Sequence, residues 1–141
     1  MIKVRGYMFS RNFMGERVPQ HIQNNIIRNY CIQNNLHYML SAVEYAMQDC
    51  YLILNQVIKE KNNIKGIGFY SMFQLPENDN LRLNLIRETL KRKKTIFFCT
   101  ERFVLKNFED MNRINTIWLL KKKLKSCLKD FEVFKKYKLQ N

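Results

Sequence analysis

The stretch that decides the fold is residues 3–31, KVRGYMFSRNFMGERVPQHIQNNIIRNYC. It predicts an apolar strand over residues 2–9, a polar loop over residues 10–18 and a helix that opens at Pro19, because proline suits the first helical turn. The apolar face of that helix follows a four-residue spacing, at Ile22, Ile26 and Tyr30, with Ile27 and Cys31 beside them. This order of elements is the unit from which open α/β sheets are built, and such sheets place their sites where strands end.

Strands and helices continue to alternate along the chain. Further strands are predicted over residues 37–43, 64–70 and 95–100, and helices over residues 50–61, 80–91 and about 108–137. Residues 102–107 are expected to be irregular. The pattern favours an α/β fold with one parallel sheet of about four strands and helices on both faces. We expect one domain, with residues 1–107 as the core and residues 108–141 as a long basic helix packed on that core or on a second subunit.

Composition limits the classes of function. The chain has 141 residues, 25 Lys and Arg against 12 Asp and Glu, and a net charge of +13. This charge favours polyanions such as nucleic acid, anionic lipid or phosphorylated substrates, although AT-rich coding would also enrich lysine, asparagine and isoleucine. No apolar run approaches the ~20 residues that span a bilayer, and the first residues lack the pattern of a signal peptide. We therefore expect a cytoplasmic protein without membrane insertion.

Four cysteines lie far apart in the sequence, at Cys31, Cys50, Cys99 and Cys127. Each stands in an apolar stretch, and there is no CxxC pair and no nearby histidine cluster. This pattern is typical of reduced core cysteines, so we expect no metal site. The sequence also lacks a Walker loop, a GxGxxG motif and an HExxH motif. We therefore expect no cofactor bound through a standard motif.

Polar residues follow each predicted strand, and in a parallel sheet those loops open on one edge. The residues that this edge would gather are Ser10, Arg11, Arg17 and Gln20, then Ser41, Glu44 and Tyr45, then Ser71 and Gln74, then Glu101 and Arg102. Two arginines near a helix N-terminus suit a phosphate or a carboxylate, and the alternative is that they form surface salt bridges with nearby glutamates.

Catalytic roles depend on activation. Ser10 could act as a nucleophile if a base activated it, and otherwise it caps a turn. Glu44 and Glu101 could share acid–base work across the cleft, or they could simply bind arginines. The two histidines, His21 and His37, are expected at the surface or in packing.

The final helix combines lysines with an apolar seam. Its seam residues alternate spacings of three and four, at Ile117, Leu120, Leu124, Cys127, Phe131 and Phe134. Such a seam packs on another helix, on its own domain or on a second copy in a homodimer. The lysines of residues 91–94 and 121–138 form either a solvated face or a surface for DNA phosphates.

The predicted architecture resembles the catalytic domain of serine recombinases, the resolvases and invertases. Tyr7 and Ser10 match that family's tyrosine and nucleophilic serine, and Gln20 or Gln23 matches its glutamine. The family's arginine before the serine is absent, since Met8 and Phe9 stand there, and residues 70–78, YSMFQLPEN, contain no arginine. The resemblance therefore implies a resolvase-like or flavodoxin-like fold. The missing arginines argue against strand cleavage, because they would stabilise the phosphoryl transition state.

A second resemblance is carried by four motifs: GYMFSRNFMGERVPQHIQN, YMLSAVEYAM, GIGFYSMFQLP and INTIWLL. These motifs resemble the bacterial sporadic carbohydrate cluster proteins, over about residues 5–120. That family lies among genes for surface polysaccharide, so the resemblance implies a pathway and a compartment without naming a reaction. The site positions that it carries over are Ser10, Arg11, Gly15, Arg17, Pro19, Gln20, Glu44, Tyr45, Ser71 and Pro76.

Three hypotheses of function follow. In the first, the protein serves surface carbohydrate synthesis and binds a sugar phosphate or nucleotide sugar, with Arg11 and Arg17 on the anion and Ser10, Glu44 and Tyr45 at the sugar. Gln20, Ser71 and Glu101 complete this ligand site. In the second, it is a DNA-binding relative of the recombinases that has lost its chemistry. In the third, it is a non-catalytic partner of a sugar enzyme.

Overall fold

The computed structural model describes residues 1–140, which form a mixed α/β fold around one sheet. The strands are β1 (Lys3–Met8), β2 (His37–Tyr38), β3 (Ala42–Val43), β4 (Gly66–Phe69), β5 (Thr95–Phe98) and β6 (Phe103–Leu105). The helices are α1 (Gln20–Gln33), α2 (Leu52–Lys59), α3 (Asp79–Lys91) and α4 (Phe108–Gln140), with a 3₁₀ turn at Met72–Gln74.

The sheet has the order β2-β1-β4-β5-β6, and β3 also pairs with β1. All pairs are parallel except β5 with β6, which is antiparallel. The prediction of a parallel sheet flanked by helices is thus confirmed, with six strands where about four were expected. The extra strands have simple causes: residues 39–41 interrupt the predicted second strand, and Phe103–Leu105 pairs with Ile96–Phe98.

Residues 102–107 were expected to be irregular, and that expectation is wrong for β6. A three-residue strand is too short to show an alternating pattern, so only its pairing reveals it.

Two apolar clusters cover the two faces of the sheet. Against α1, alternate strand residues such as Val4 and Met8 pack with Ile27 and Cys31. Against α2, α3 and the start of α4, the opposite residues Tyr7, Phe9, Phe69 and Phe98 form the larger core. Because side chains alternate along a strand, β1 supplies both clusters.

The buried row of α1 lies one residue away from the predicted one. Gln23, Ile27 and Cys31 are its buried residues, whereas Ile22 is exposed. The sequence pattern placed the row through Ile22 because glutamine is not expected in a core. Gln23 is stable in the core because its amide donates to the carbonyl oxygens of Phe9 and Val18.

Helix α4 changes environment along its length. Met111, Ile114 and Trp118 are buried against the core, whereas Leu120 and nearly all later residues are exposed. Residue 141, included in the predicted helical segment, lies outside the described residues. No helix within residues 1–140 is long and apolar enough to cross a membrane.

Candidate functional site

The loops after β1, β3, β4 and β5 meet at the carboxyl edge of the sheet, as parallel pairing requires. The structure therefore brings Arg11, Glu44, Ser71 and Glu101 to one edge of the molecule. What each of these side chains contacts decides what it can do chemically.

Glu44 is buried and its carboxylate is fully engaged. It accepts hydrogen bonds from the Tyr7 hydroxyl at 2.8 Å and from the backbone N–H groups of Ile53 and Leu54 at 3.0 Å each. The N–H of Tyr45 donates at 3.2 Å, and the Cys50 thiol lies 3.7 Å away. A carboxylate on the first N–H groups of a helix stabilises that helix end, here α2. This arrangement favours a structural role for Glu44 over acid–base work.

The Tyr7 hydroxyl keeps its proton at ordinary pH. Burial raises the pKa of Tyr7 far above its usual value, and the charge of Glu44 and the hydrogen bond to it raise that pKa further. Tyr7 is thus a fixed donor at the centre of the edge. Sequence reasoning named it only through the recombinase resemblance.

Two buried glutamines connect the first loop to the third. Gln23 Nε2 donates to the carbonyl oxygens of Phe9 and Val18, at 2.8 Å each. Gln74 Nε2 donates to Gln23 Oε1 at 2.8 Å, and Gln74 Oε1 accepts from the Ser71 N–H at 3.1 Å. Each amide is therefore satisfied although both side chains are fully buried. This chain of amides fixes the backbone on both sides of the edge.

Ser71 and Glu101 are also engaged with each other. The Ser71 hydroxyl donates to Glu101 Oε2 at 2.9 Å, and the Met72 N–H donates to Glu101 Oε1 at 2.7 Å. The Thr100 hydroxyl donates to the same carboxylate. Ser71 also caps the 3₁₀ turn by accepting from the Phe73 N–H at 3.2 Å. These contacts hold the third and fourth loops together.

Arg11 forms one wall of the site. Its guanidinium stacks on the rings of Phe9 at 4.3 Å and Tyr51 at 4.7 Å. Its Nη1 donates to the carbonyl oxygens of Tyr45 at 3.2 Å and Met47 at 3.0 Å, and its Nη2 has no hydrogen-bond partner in the described part of the chain. Arg11 therefore orders the loop before α2, and only part of its hydrogen-bonding capacity is used.

A cavity of about 590 Å³ lies beside Arg11, within the range usual for small-ligand sites. Its deeper wall is aromatic and its rim is polar. The wall includes Phe13, Tyr51 and Phe73, and the rim includes Asn12, Gln48, Asp49, Glu77 and Asn78.

Arg11, Gln74 and Pro76 line this cavity, whereas the other residues predicted for the site lie apart from its wall, including Glu44, Ser71 and Glu101. Ser10 and Gln20 are half-buried, and Arg17 and Tyr45 are exposed; none of the four lines the cavity. The structure gives the Ser10 hydroxyl no hydrogen-bond partner within residues 1–140. Their part in a ligand site stays a prediction. Sequence reasoning missed Phe13 and Phe73 because apolar residues in loops carry no chemical signature.

A second groove, of about 260 Å³, adjoins the cavity where α4 leaves the core. Lys122, Lys125 and Lys129 line it together with Ser126, Met14 and Glu77. Spacings of three and four place the three lysines on one helix face. The same face carries Trp118, Ile114 and Met111 one, two and three turns earlier.

Within residues 1–140, no group of three or more His, Cys, Asp or Glu side chains could hold a metal ion. The four cysteines are free thiols. Cys31 and Cys99 are buried as predicted, but Cys127 is exposed on α4, where the expected core position was wrong.

Several solved structures are similar to this chain, and two of them cover nearly all of it. The N-terminal catalytic domain of TP901-1 integrase is 14% identical with a TM-score of 0.62, over 89% of this chain and 98% of that one. A resolvase family site-specific recombinase from Streptococcus pneumoniae is 10% identical with a TM-score of 0.61, over 98% of this chain and 99% of that one.

No protein-family model matches the chain, and no curated protein matches it. The resemblance to sporadic carbohydrate cluster proteins thus finds no support in these comparisons. The predicted resemblance to serine recombinases is confirmed for the fold, so the chain has the fold of a resolvase-type catalytic domain.

Proposed function

We propose that this protein binds DNA as a dimer and does not cleave it. One observation carries the proposal: the helix face that is buried and apolar up to Trp118 continues as a row of lysines beyond it. We call Lys122, Lys125 and Lys129 the lysine row. The fold similarity to an integrase domain and a site-specific recombinase adds support, because those proteins act on DNA.

The lysine row has the chemistry of a phosphate-binding surface. Residues 119–139 contain eight lysines and only two acidic residues, Asp130 and Glu132. Lys122 is tied to the core by its Nζ, which donates to the Glu77 carbonyl at 2.6 Å and to Asp79 at 3.0 Å. Lys125 and Lys129 point along the same face. Several lysines in a row neutralise successive phosphates, which is the main source of affinity for DNA.

The opposite face of α4 is apolar and exposed. Leu120, Leu124, Phe131 and Phe134 are each more than half exposed, and Cys127 lies among them. We call these five residues the apolar stripe. It is offset by two positions from the lysine row, which is a rotation of about 200° at 3.6 residues per turn. The stripe alternates three- and four-residue spacings, so a second copy of α4 fits it. A dimer would then present two lysine rows.

Strand cleavage is not part of the proposal. Met8 and Phe9 precede Ser10, and no arginine occurs between Ser71 and Asn78. Arg11 is the nearest cation in the sequence, and its Nη1 is used by two backbone carbonyls. Transfer of a phosphoryl group needs cations at the developing charge, and the described residues next to Ser10 offer few.

Fluorescence anisotropy with a labelled duplex tests the DNA-binding proposal. Affinity should fall steeply as salt rises, and Lys122→Gln, Lys125→Gln and Lys129→Gln together should reduce the slope of log K against log salt by about 2.7 for each lysine row that contacts the duplex. The matched control removes the same charge elsewhere, with Lys61→Gln, Lys65→Gln and Lys106→Gln, all exposed. Equal losses in both triple variants, or no binding at low salt, would contradict the proposal.

Sedimentation velocity tests the dimer. The wild-type protein should sediment as a dimer at micromolar concentration, and Leu124→Glu with Phe131→Glu should leave a monomer with unchanged helix content. The matched control is Leu119→Glu with Val133→Glu, which changes equally exposed residues outside the apolar stripe. A monomeric wild type, or dissociation in both variants, would refute the pairing of α4.

A second candidate function is the binding of an anionic sugar intermediate, such as a sugar phosphate or nucleotide sugar. The observation that favours it is the cavity beside Arg11, whose Nη2 lacks a partner among the described residues. A thermal-shift screen tests it, since a ligand at a hundred times its Kd adds about 2.7 kcal/mol. A shift that one sugar class produces and Arg11→Ala abolishes would support it. If Arg17→Ala shows the same shift as the wild type, Arg11 and not Arg17 binds the anion.

A further inference from the structure

The cavity and the lysine row share a boundary. Glu77 lines both the 590 Å³ cavity and the groove of the lysine row. Lys122 Nζ donates to the Glu77 carbonyl at 2.6 Å, so the start of the row touches the rim of the cavity directly. A strand whose phosphates followed the row would therefore pass the mouth of the cavity.

The cavity wall suits a flat aromatic ring. Phe13, Tyr51 and Phe73 contribute ring surface, and the Arg11 guanidinium lies in a stack with Phe9 and Tyr51. Aromatic side chains and arginine planes are the surfaces on which unpaired bases stack. Phe73 is itself held in place, because its ring packs edge-on against Trp118 at 5.3 Å.

The cavity rim carries hydrogen-bonding groups of a particular kind. Asn12, Gln48 and Asn78 offer amides, which both donate and accept. Asp49 and Glu77 add two carboxylates, which only accept at neutral pH. Carboxylates repel a phosphate, but they accept well from the exocyclic amino group of cytosine or adenine. The rim is therefore better matched to a base than to an anion.

We propose that this cavity takes one unpaired, amino-bearing base of a nucleic-acid strand whose phosphates lie along Lys125 and Lys129. This inference rests on the proposed DNA binding and adds the part of the ligand that the cavity recognises. Phosphates would supply most of the affinity, and the base in the cavity would favour unpaired DNA, such as a strand end, over a closed duplex.

Two single strands of equal length distinguish the contribution of the base to binding from that of the phosphates. One is twelve deoxycytidines, and the other carries an abasic sugar at every position, so that both have the same charge. Anisotropy titrations at one salt concentration give the two affinities. We expect the cytidine strand to bind about tenfold more tightly, since stacking of even one base is worth that much.

The cavity is then tested by variants. Phe73→Leu keeps a bulky apolar side chain but removes the ring, and it should abolish the preference for the cytidine strand while leaving the abasic affinity unchanged. Phe108→Leu changes an exposed ring outside the cavity and should retain the preference. If Phe73→Leu does not fold, Asn12→Ala with Gln48→Ala changes two exposed rim residues and should reduce the preference severalfold.

The outcomes separate the two proposals. Equal affinity for both strands would overturn the base cavity while the DNA-binding proposal stands. No binding of either strand would overturn the base cavity, and the duplex titration would then decide whether the DNA-binding proposal stands. A thermal shift with a sugar phosphate under the same conditions would assign the cavity to the sugar. A preference for cytidines that Phe73→Leu leaves intact would place the base elsewhere on the protein.

Discussion

The Tyr7 hydroxyl and the Glu44 carboxylate are joined by a 2.8 Å hydrogen bond at the buried carboxyl edge of the sheet. The bond connects β1, which supplies both faces of the core, to the N-terminus of α2, whose first N–H groups Glu44 also binds. One pair of side chains thus fixes a strand end and a helix start at the same point.

Replacing Tyr7 by phenylalanine should destabilise the fold. A buried hydrogen bond to a charged acceptor contributes about 1.5–3 kcal/mol, so Tyr7→Phe should lower the free energy of unfolding by that amount in a urea titration. Tyr30→Phe is the control, since the Tyr30 hydroxyl has no hydrogen-bond partner in the described structure. Similar losses of unfolding free energy in both variants would show that the Tyr7–Glu44 hydrogen bond contributes little to stability.

Trp118 should matter more than any exposed residue of α4. It is fully buried, packs on Phe73, and has the Arg82 guanidinium 4.5 Å from its ring. Trp118→Ala should cost about 3–5 kcal/mol, the usual range for a large core residue. Leu124→Ala, on the exposed stripe, should change stability by about 0.5 kcal/mol or less in dilute protein. Because Trp118 is the only tryptophan, circular dichroism should monitor unfolding.

The cysteines should separate by reactivity. Burial raises the pKa of Cys31 to about 11 and that of Cys99 to about 12, and only the thiolate reacts. In dilute protein at pH 8, a thiol-exchange reagent should label exposed Cys127 rapidly and half-buried Cys50 more slowly, and it should leave Cys31 and Cys99 unlabelled until denaturant is added. Cys127→Ser should remove the rapid phase. Rapid labelling of two or more sites in that variant would contradict the burial of Cys31 and Cys99.

The same reagent also reports on the apolar stripe. Cys127 lies within it, so a second copy on that face should slow its labelling as protein concentration rises. A rate independent of concentration would agree with a monomer.

Most of the sheet could be predicted from the sequence, because apolar runs and turn residues define β1, β4 and β5 locally. The meeting of the loops at one edge also followed, since parallel pairing leaves no other arrangement. What the sequence could not provide was which side chains turn inward. Gln74 Nε2 donates to Gln23 Oε1 across 51 positions of sequence, and no periodicity predicts a buried polar pair of that separation.

The lysine row illustrates a pattern that was present but hidden. Met111, Ile114, Trp118, Lys122, Lys125 and Lys129 follow one continuous three-and-four spacing. Reasoning from apolar residues alone found the stripe on the other face, because lysines do not enter a hydrophobic pattern. Only the end of the core at Trp118 explains why the same helix face changes from apolar to basic.

The ion pairs of Asp79, one within α3 and one from α3 to α4, should make stability depend on pH in the acid range. Asp79 Oδ1 lies 3.0 Å from Lys122 Nζ and 2.6 Å from Arg82 Nη2. Hydrogen bonds from Lys122 and then Arg82 hold the pKa of Asp79 below its usual 3.8. A carboxyl with a lowered pKa in the folded state stabilises the protein above its unfolded pKa, and this contribution disappears as pH falls through the folded value.

Asp79→Asn should therefore unfold at lower urea than the wild type at pH 6, and the two midpoints should converge below pH 3.8. The difference should be modest and should shrink in salt, because the Asp79 side chain is half exposed. Asp130→Asn, which removes an exposed carboxyl from the free part of α4, should leave the midpoint unchanged at both pH values. If the Asp79→Asn difference persisted undiminished at acid pH, the ionised carboxylate would not be what ties α4 to the start of α3.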